Sequence, residues 1–351
     1  MIPLFVADPV CGKEIKIKDP NGEMNKIENW ENGKLNGPSS LFSKNGKIVA
    51  RWNFKNGVLD GETLHFYPNG KSKRTAIYKK GKLEGESKIF YFNGKLHSKY
   101  NFRKGQLNGD VEVFYPNGQK SSRMTYKNNS LVGMSYGYRE NGKLKHDVYY
   151  KNGLMDGKLK IYFDSGKIKE VRGYKEGNLQ GEWKEYYDTG ELMKKGMHVD
   201  HAKTGPEVLY YKNGNVQRES FMNENVLDGA VFNYSDNGNL ISIQQWEDGT
   251  PQGVFIDFFQ TGSVKTIFNV VNNEREGSLY EYFPTGNIRE IRNYIRNKKD
   301  GTQKTFFQNG NLWTVIEYKK NSMHGKVVEY SENGRIVKQM IFENGKMKFN
   351  Q

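Results

Sequence analysis

Glycine recurs every 24 residues along this chain without a slip. Gly37, Gly61, Gly85, Gly109, Gly133, Gly157, Gly181, Gly205, Gly229, Gly253, Gly277, Gly301 and Gly325 form one unbroken series. A fixed period in this range signals a repeat architecture and outranks any local secondary-structure reading. The 351 residues would otherwise allow two or three ordinary domains. The unbroken register argues instead for one elongated repeat domain.

Two more series share the period. The first is Gly22, Gly46, Gly70, Gly94, Gly118 and onward to Gly334, each preceded by Asn, Ser or Thr. Asn-Gly is the strongest short-range hairpin signal, because both central positions of a type I′ turn need positive φ. A type I′ turn is therefore expected at pairs such as Asn69-Gly70. The second is Gly33, Gly57, Gly81, Gly105, Asn129, Gly153, Gly177, His201, Asn225, Gly249, Asn273, Asn297, Asn321 and Gly345. Asn and His are enriched at positive φ, so this substitution pattern marks backbone geometry rather than chemistry. Gly61, Gly70, Gly85, Gly94, Gly109 and Gly118 are assigned as structural turn residues, with turns of the form 81–85.

Each unit then holds two strands and two turns. The expected fold is all-β, a single twisted antiparallel meander of about 26 strands, roughly 120–130 Å long at the usual strand spacing. Residues 1–20 are off-pattern and read as an N-terminal cap over the sheet edge. Residues 21–345 hold thirteen repeats, and 346–351 form the C-terminal end, with 341–351 reading as a closing strand.

Only 35% of residues are hydrophobic, while 13% are aromatic, so rings must supply most of the buried area. Phe42, Phe66, Phe90, Phe114, Tyr138 and Tyr162 begin a phase that is aromatic in every unit. Trp30, Phe54, Tyr78, Phe102, Tyr126 and Tyr150 begin another, and Leu35, Leu59, Leu83 and Leu107 place leucine at the turns. Stability should approach a sum of nearest-neighbour terms.

The pattern stands in one unit as Tyr78-Lys79-Lys80-Gly81-Lys82-Leu83-Glu84-Gly85-Glu86-Ser87-Lys88-Ile89-Phe90-Tyr91-Phe92-Asn93-Gly94. It resembles the bacterial MORN-repeat variant family over about residues 21–345. It differs from the eukaryotic MORN pattern in its longer period and its Asn-Gly turns. The resemblance implies a binding protein. The association of that family with toxin–antitoxin and toxin–immunity pairs implies neutralisation of a toxin partner.

Little in the sequence points to catalysis, and no enzyme activity, cofactor or metal is expected. His198, Asp200 and His201 lie close in sequence, but a zinc site wants more ligands, and His201 occupies a turn position. Asp60-Gly61 and Glu84-Gly85 carry one acid per turn, fewer than a calcium loop needs. Cys11 is the single cysteine, lies in the cap without a nearby histidine, and fits a reducing compartment. A cytoplasmic location is expected, or export if a signal peptide has been removed. Asn128 and Asn233 open short glycosylation sequons of the kind that arise by chance.

The candidate binding surface is a second aromatic ladder: Tyr67, Tyr91, Tyr115, Phe163, Tyr187, Tyr211, Phe259, Phe283 and Phe307, interrupted by Ser43, Arg139, Ser235 and Ser331. Aromatics are enriched at interfaces, so an exposed ladder flanked by lysine would suit a protein. The same rings would also serve to pack repeat against repeat. The net charge of +14 favours an acidic partner. The alternatives are a nucleic acid stacked on tyrosines between lysines and an anionic membrane. Forty acidic residues interleaved with the basic ones weigh against the first, and the sequence offers no amphipathic helix or lipidation motif for the second.

Overall fold

The computed structural model describes residues 12–348. Cys11 and most of the 1–20 cap lie outside the described residues. What is described of that segment includes an edge strand, Lys13–Lys18, antiparallel to Met24–Glu31.

Every described regular element is a β-strand, 40 in all, paired antiparallel to its neighbours. One repeat reads as an eight-residue strand (Ser72–Lys79), a two-residue strand (Lys82–Leu83) and a six-residue strand (Gly85–Phe90). The count exceeds the expected 26 because the returning arm is split. Its middle residue, Glu84, turns its N–H to the carbonyl of Ile77, and Gly85 follows at φ +78°. Where the split is absent the arm is one nine-residue strand, as in Ser130–Tyr138 and Ser322–Tyr330.

The turns are assigned the other way round from expectation. The type I′ turn is Lys80-Gly81, with φ of 50° and 74°, joining the paired Lys79 and Lys82. Its counterparts at Asn128-Asn129, Asp200-His201 and Arg296-Asn297 also have both residues at positive φ. At Asn69-Gly70 only the glycine has positive φ. There Gly70 N–H donates to the Tyr67 carbonyl and Tyr67 N–H donates to the Lys71 carbonyl. This is a type I turn closed by a left-handed glycine, and Pro68 fits its second position. Asn69 instead uses its side chain, accepting from Lys71 N–H and donating to the Phe92 carbonyl.

Two further expectations change. Leu83 is a strand residue opposite Tyr78, so the leucine phase caps the aromatic phase across a hairpin rather than filling a turn. Residues 341–351 are not one closing strand. Ile336–Glu343 ends at Glu343, and Lys346–Lys348 returns antiparallel to it.

The chain forms two compact units. One ends at Ile168 and includes Tyr174–Asn178, while the other holds Lys169–Gly173 and continues from Leu179. In the first, the most enclosed positions are small residues paired across strands, such as Thr63 with Ala76. Elsewhere on this face a large residue pairs with a small one: Ser39 with Trp52 and Ser87 with Tyr100. In the second unit Trp183 pairs with Gly196 in the same way.

Candidate interaction surface

The predicted ladder exists, but its hydroxyls are spent inside the sheet. All nine of its members, Tyr67, Tyr91, Tyr115, Phe163, Tyr187, Tyr211, Phe259, Phe283 and Phe307, are half-buried. Tyr67, Tyr91, Tyr115, Tyr187 and Tyr211 donate to the carbonyls of Phe90, Phe114, Tyr138, Tyr210 and Tyr234 at 2.7–2.8 Å. Each bond ties the turn of one repeat to the strand end of the next. The interruptions follow the same logic. Arg139 Nη2 donates to the Tyr162 carbonyl at 2.6 Å, replacing a tyrosine. Ser43 and Ser235 close their own turns through Lys47 and Asn239. The five tyrosines of the ladder fasten repeat to repeat.

A second row of cross-strand neighbours differs between the units. In the first unit one row of cross-strand neighbours runs Lys88, Lys99, Glu112, Arg123, Tyr136, Asp147 and Lys160. Lys88, Lys99, Glu112 and Arg123 in it are ion-paired. Lys99 Nζ stands 3.5 Å from Glu86 and 3.6 Å from Glu112, and Arg123 stands 2.9 Å from Asp110. Hydrogen bonds from Lys88 to Glu86 and from Lys120 to Glu112 hold both carboxyls below their ordinary range. Burial, then the hydrogen bond to Asp147, pushes the Tyr162 hydroxyl up to about 12.

In the second unit the equivalent row is apolar: Phe232, Ile243, Ile256, Ile267, Tyr280 and Ile291 are successive neighbours. Lysines stand beyond both ends, Lys184 and Lys195 on one side and Lys304 on the other. Beside the row, Pro206 and Phe221 are paired. Phe221 is 49% and Val254 46% exposed. Pro206, Val208, Phe221, Ala230 and Phe232 line an open hollow of about 490 Å³ together with Glu207, Glu219 and Asp228. The sequence reading missed this row because its members scatter across two repeat phases that are charged in the first unit. A signal was available: one phase runs Val208, Phe232, Ile256 and Tyr280, and the other runs Ile243, Ile267 and Ile291.

The second unit also holds a charged cluster. The Glu207 carboxylate is buried and is met at 3.3 Å by each of Lys194, Lys203 and Arg218. The two lysine ammoniums also stand 5.4 and 4.6 Å from the Trp183 ring centre, within cation–π range. His198 packs against Trp183 at 5.9 Å between centroids, and burial lowers its pKa. His201 sits in its type I′ turn at φ 71° and accepts from Leu179 N–H. Among the described residues no group of three His, Cys, Asp or Glu is placed to hold a metal ion. Trp183 was missed in the sequence, where it stands in a phase that opens with Ser39, Thr63, Ser87 and Val111. The compensating Gly196 opposite it was the available sign.

No curated protein matches the chain. Among solved structures, it is similar to a chain of the TcdB2-TccC3-Cdc42 crystal structure at 11% identity and TM-score 0.18, covering 94% of this chain and 19% of that one. A chain of TcdB2-TccC3 gives 10% and 0.17, covering 96% and 28%. A chain of the Photorhabdus luminescens Tc holotoxin pore, with the mutation TccC3-D651A, gives 13% and 0.17, covering 95% and 19%. The chain thus spans between about a fifth and somewhat over a quarter of theirs, and scores this low carry no weight for fold or function. The family comparison is of another kind. The MORN repeat variant matches at 35–56, 59–80, 83–104, 107–128, 131–152, 155–176, 179–200, 203–224, 275–296, 299–320 and 323–344. Between 224 and 275 the strands Gly229–Tyr234, Leu240–Glu247, Gly253–Phe258 and Val264–Val271 continue the same plan. With eleven repeats matched across most of its length, this chain belongs to the MORN repeat variant family.

Proposed function

We infer that the protein is a non-enzymatic, repeat-built scaffold that binds another protein, and that its partner presents apolar and acidic side chains. A toxin held by an antitoxin or immunity protein, the role the family resemblance implies, fits that description. The observation that carries the reading is the apolar row from Phe232 to Ile291, bordered by exposed Phe221 and Val254 and flanked by Lys184, Lys195 and Lys304. A contiguous exposed apolar patch rimmed by polar groups is the usual mark of a protein interface, and aromatic anchors dominate such interfaces. A nucleic acid or anionic membrane would want a stripe of uncommitted cations. Lys88, Lys99 and Arg123 of the first unit's charged row stand instead beside Glu86, Glu112 and Asp110.

The test is site-specific photocrosslinking from position 221 of the full chain in its native host, with the product identified by mass spectrometry. One stoichiometric acidic protein, lost on Ile243→Ser with Val254→Ser while the β-sheet circular dichroism is unchanged, supports the scaffold. Nuclease-sensitive or lipid-dependent material in its place overturns it.

A further inference from the structure

We propose that the open hollow around Phe221 takes one arginine side chain of the protein partner, its guanidinium on the Glu219 carboxylate and its stem against the apolar walls; this rests on the scaffold reading above. The hollow measures about 490 Å³, within the range of roughly 300–1,000 Å³ usual for ligand pockets. Pro206 pairs across strands with Phe221, and Glu219 is the cross-strand neighbour of both Val208 and Phe232. Such neighbours share a face of the sheet. Phe221 stands two residues beyond Glu219 on the same strand, and so on the same face. Glu219 is therefore half-buried among apolar side chains, with the 49% exposed Phe221 on its own strand.

Charge decides what fits there. The row of cross-strand neighbours that runs from Lys195 through Val208, Glu219, Phe232 and Ile243 to Lys304 holds one acid, Glu219. Asp228 also lines the hollow. Among the described residues neither carboxylate is in an ion pair. Neutral groups donate to them, the Tyr234 hydroxyl to Glu219 at 3.1 Å and the Asn223 side-chain amide to Asp228 at 3.3 Å. The nearby cations are engaged elsewhere. Lys194, Lys203 and Arg218 meet Glu207, which borders the hollow but is balanced by them. The Lys195 ammonium stands 5.6 Å from the centre of the Tyr210 ring. The hollow thus carries negative charge that no neighbouring side chain neutralises.

The walls set the class of cation. A guanidinium is planar and weakly hydrated, stacks on aromatic faces and bonds a carboxylate through two N–H groups at once. A lysine ammonium is a compact, strongly hydrated charge and gains less from apolar walls. A hard metal ion wants six or more oxygen ligands, and among the described residues no group of three His, Cys, Asp or Glu is placed to hold one. The same carboxylates repel a phosphate backbone or an anionic lipid surface.

The experiment places 4-fluorophenylalanine at position 221 of the full chain and follows its ¹⁹F resonance as acetyl-Leu-Arg-Leu-amide is added. A saturable shift is expected. Glu219→Gln keeps an acceptor for the Tyr234 hydroxyl, so it should leave the β-sheet circular dichroism unchanged while weakening the apparent affinity about tenfold. The peptide with citrulline, the uncharged isostere of arginine, should bind about tenfold more weakly, and the lysine peptide several-fold more weakly. No saturable shift, equal binding of the arginine peptide and either analogue, or an affinity unchanged in Glu219→Gln would overturn the site. A response to single-stranded DNA or phosphatidylserine vesicles but not to the peptide would overturn it as well. Crosslinking retained from position 221 with no titration response would remove this site and leave the scaffold. A saturable titration with no crosslinked protein would keep the site and remove the scaffold.

Discussion

The Tyr91 hydroxyl donates a 2.7 Å hydrogen bond to the carbonyl oxygen of Phe114, 23 residues further along the chain. That bond spans the period of the repeat less one residue. It closes a turn carbonyl environment that neither repeat satisfies alone, and it recurs wherever tyrosine holds the position. The fold is thus fastened twice between repeats, by the backbone ladder and by this line of phenols.

Tyr91→Phe removes one such bond and leaves the Phe114 carbonyl short of a donor. The expected loss is about 1 kcal/mol of unfolding free energy, read by urea denaturation. Tyr187→Phe should cost a similar amount. Arg139→Ala, which removes a charged donor from Tyr162, should cost about 1.5–3 kcal/mol.

The turn assignment separates two asparagine substitutions. Lys80 holds φ 50°, so Lys80→Asn should leave stability unchanged or raise it by a few tenths of a kcal/mol, since Asn tolerates the left-handed region. Asn69→Gly removes the side-chain bonds to Lys71 and Phe92 without relieving any positive φ, and should cost about 1 kcal/mol. Equal effects at the two sites, measured by thermal unfolding, would contradict the assignment.

Gly196→Val places a branched side chain where the Trp183 indole lies. Overpacking of this kind should cost about 1–3 kcal/mol. The double variant with Trp183→Ala should recover part of that cost, because the two side chains compete for one space. A double-mutant cycle with no coupling would show that they do not.

Acidification should weaken the fold before its carboxylates titrate. Burial lowers the pKa of His65, His146 and His198 below 6.5. The unfolded chain therefore binds more protons as pH falls through that region, and stability is lost on the same descent. It is present above about pH 6.5 and declines below it as the unfolded-state histidines charge, levelling off only once the folded-state histidines charge as well. Denaturation midpoints between pH 7.5 and 5.5 should fall, and His146→Gln should flatten the slope.

The 24-residue glycine register was enough to establish a one-chain stack of antiparallel hairpins, because positive-φ turns and strand length are local properties of the backbone. It also located every turn. It did not tell which turn was type I′, since Asn-Gly occurs at both. That depends on how the flanking strands pair: Lys79 faces Lys82 directly, while a bulge near Phe66 leaves Tyr67 to close a wider loop. The role of the tyrosine ladder was equally out of reach. A phenol at position 91 reads as an interface residue until the strand end at Phe114 is brought to its hydroxyl. The half-buried apolar row and the cluster around Glu207 were decided by pairing alone. Their members come from different repeats, and only the cross-strand register brings Phe232 beside Ile243, or three cations onto one buried carboxylate.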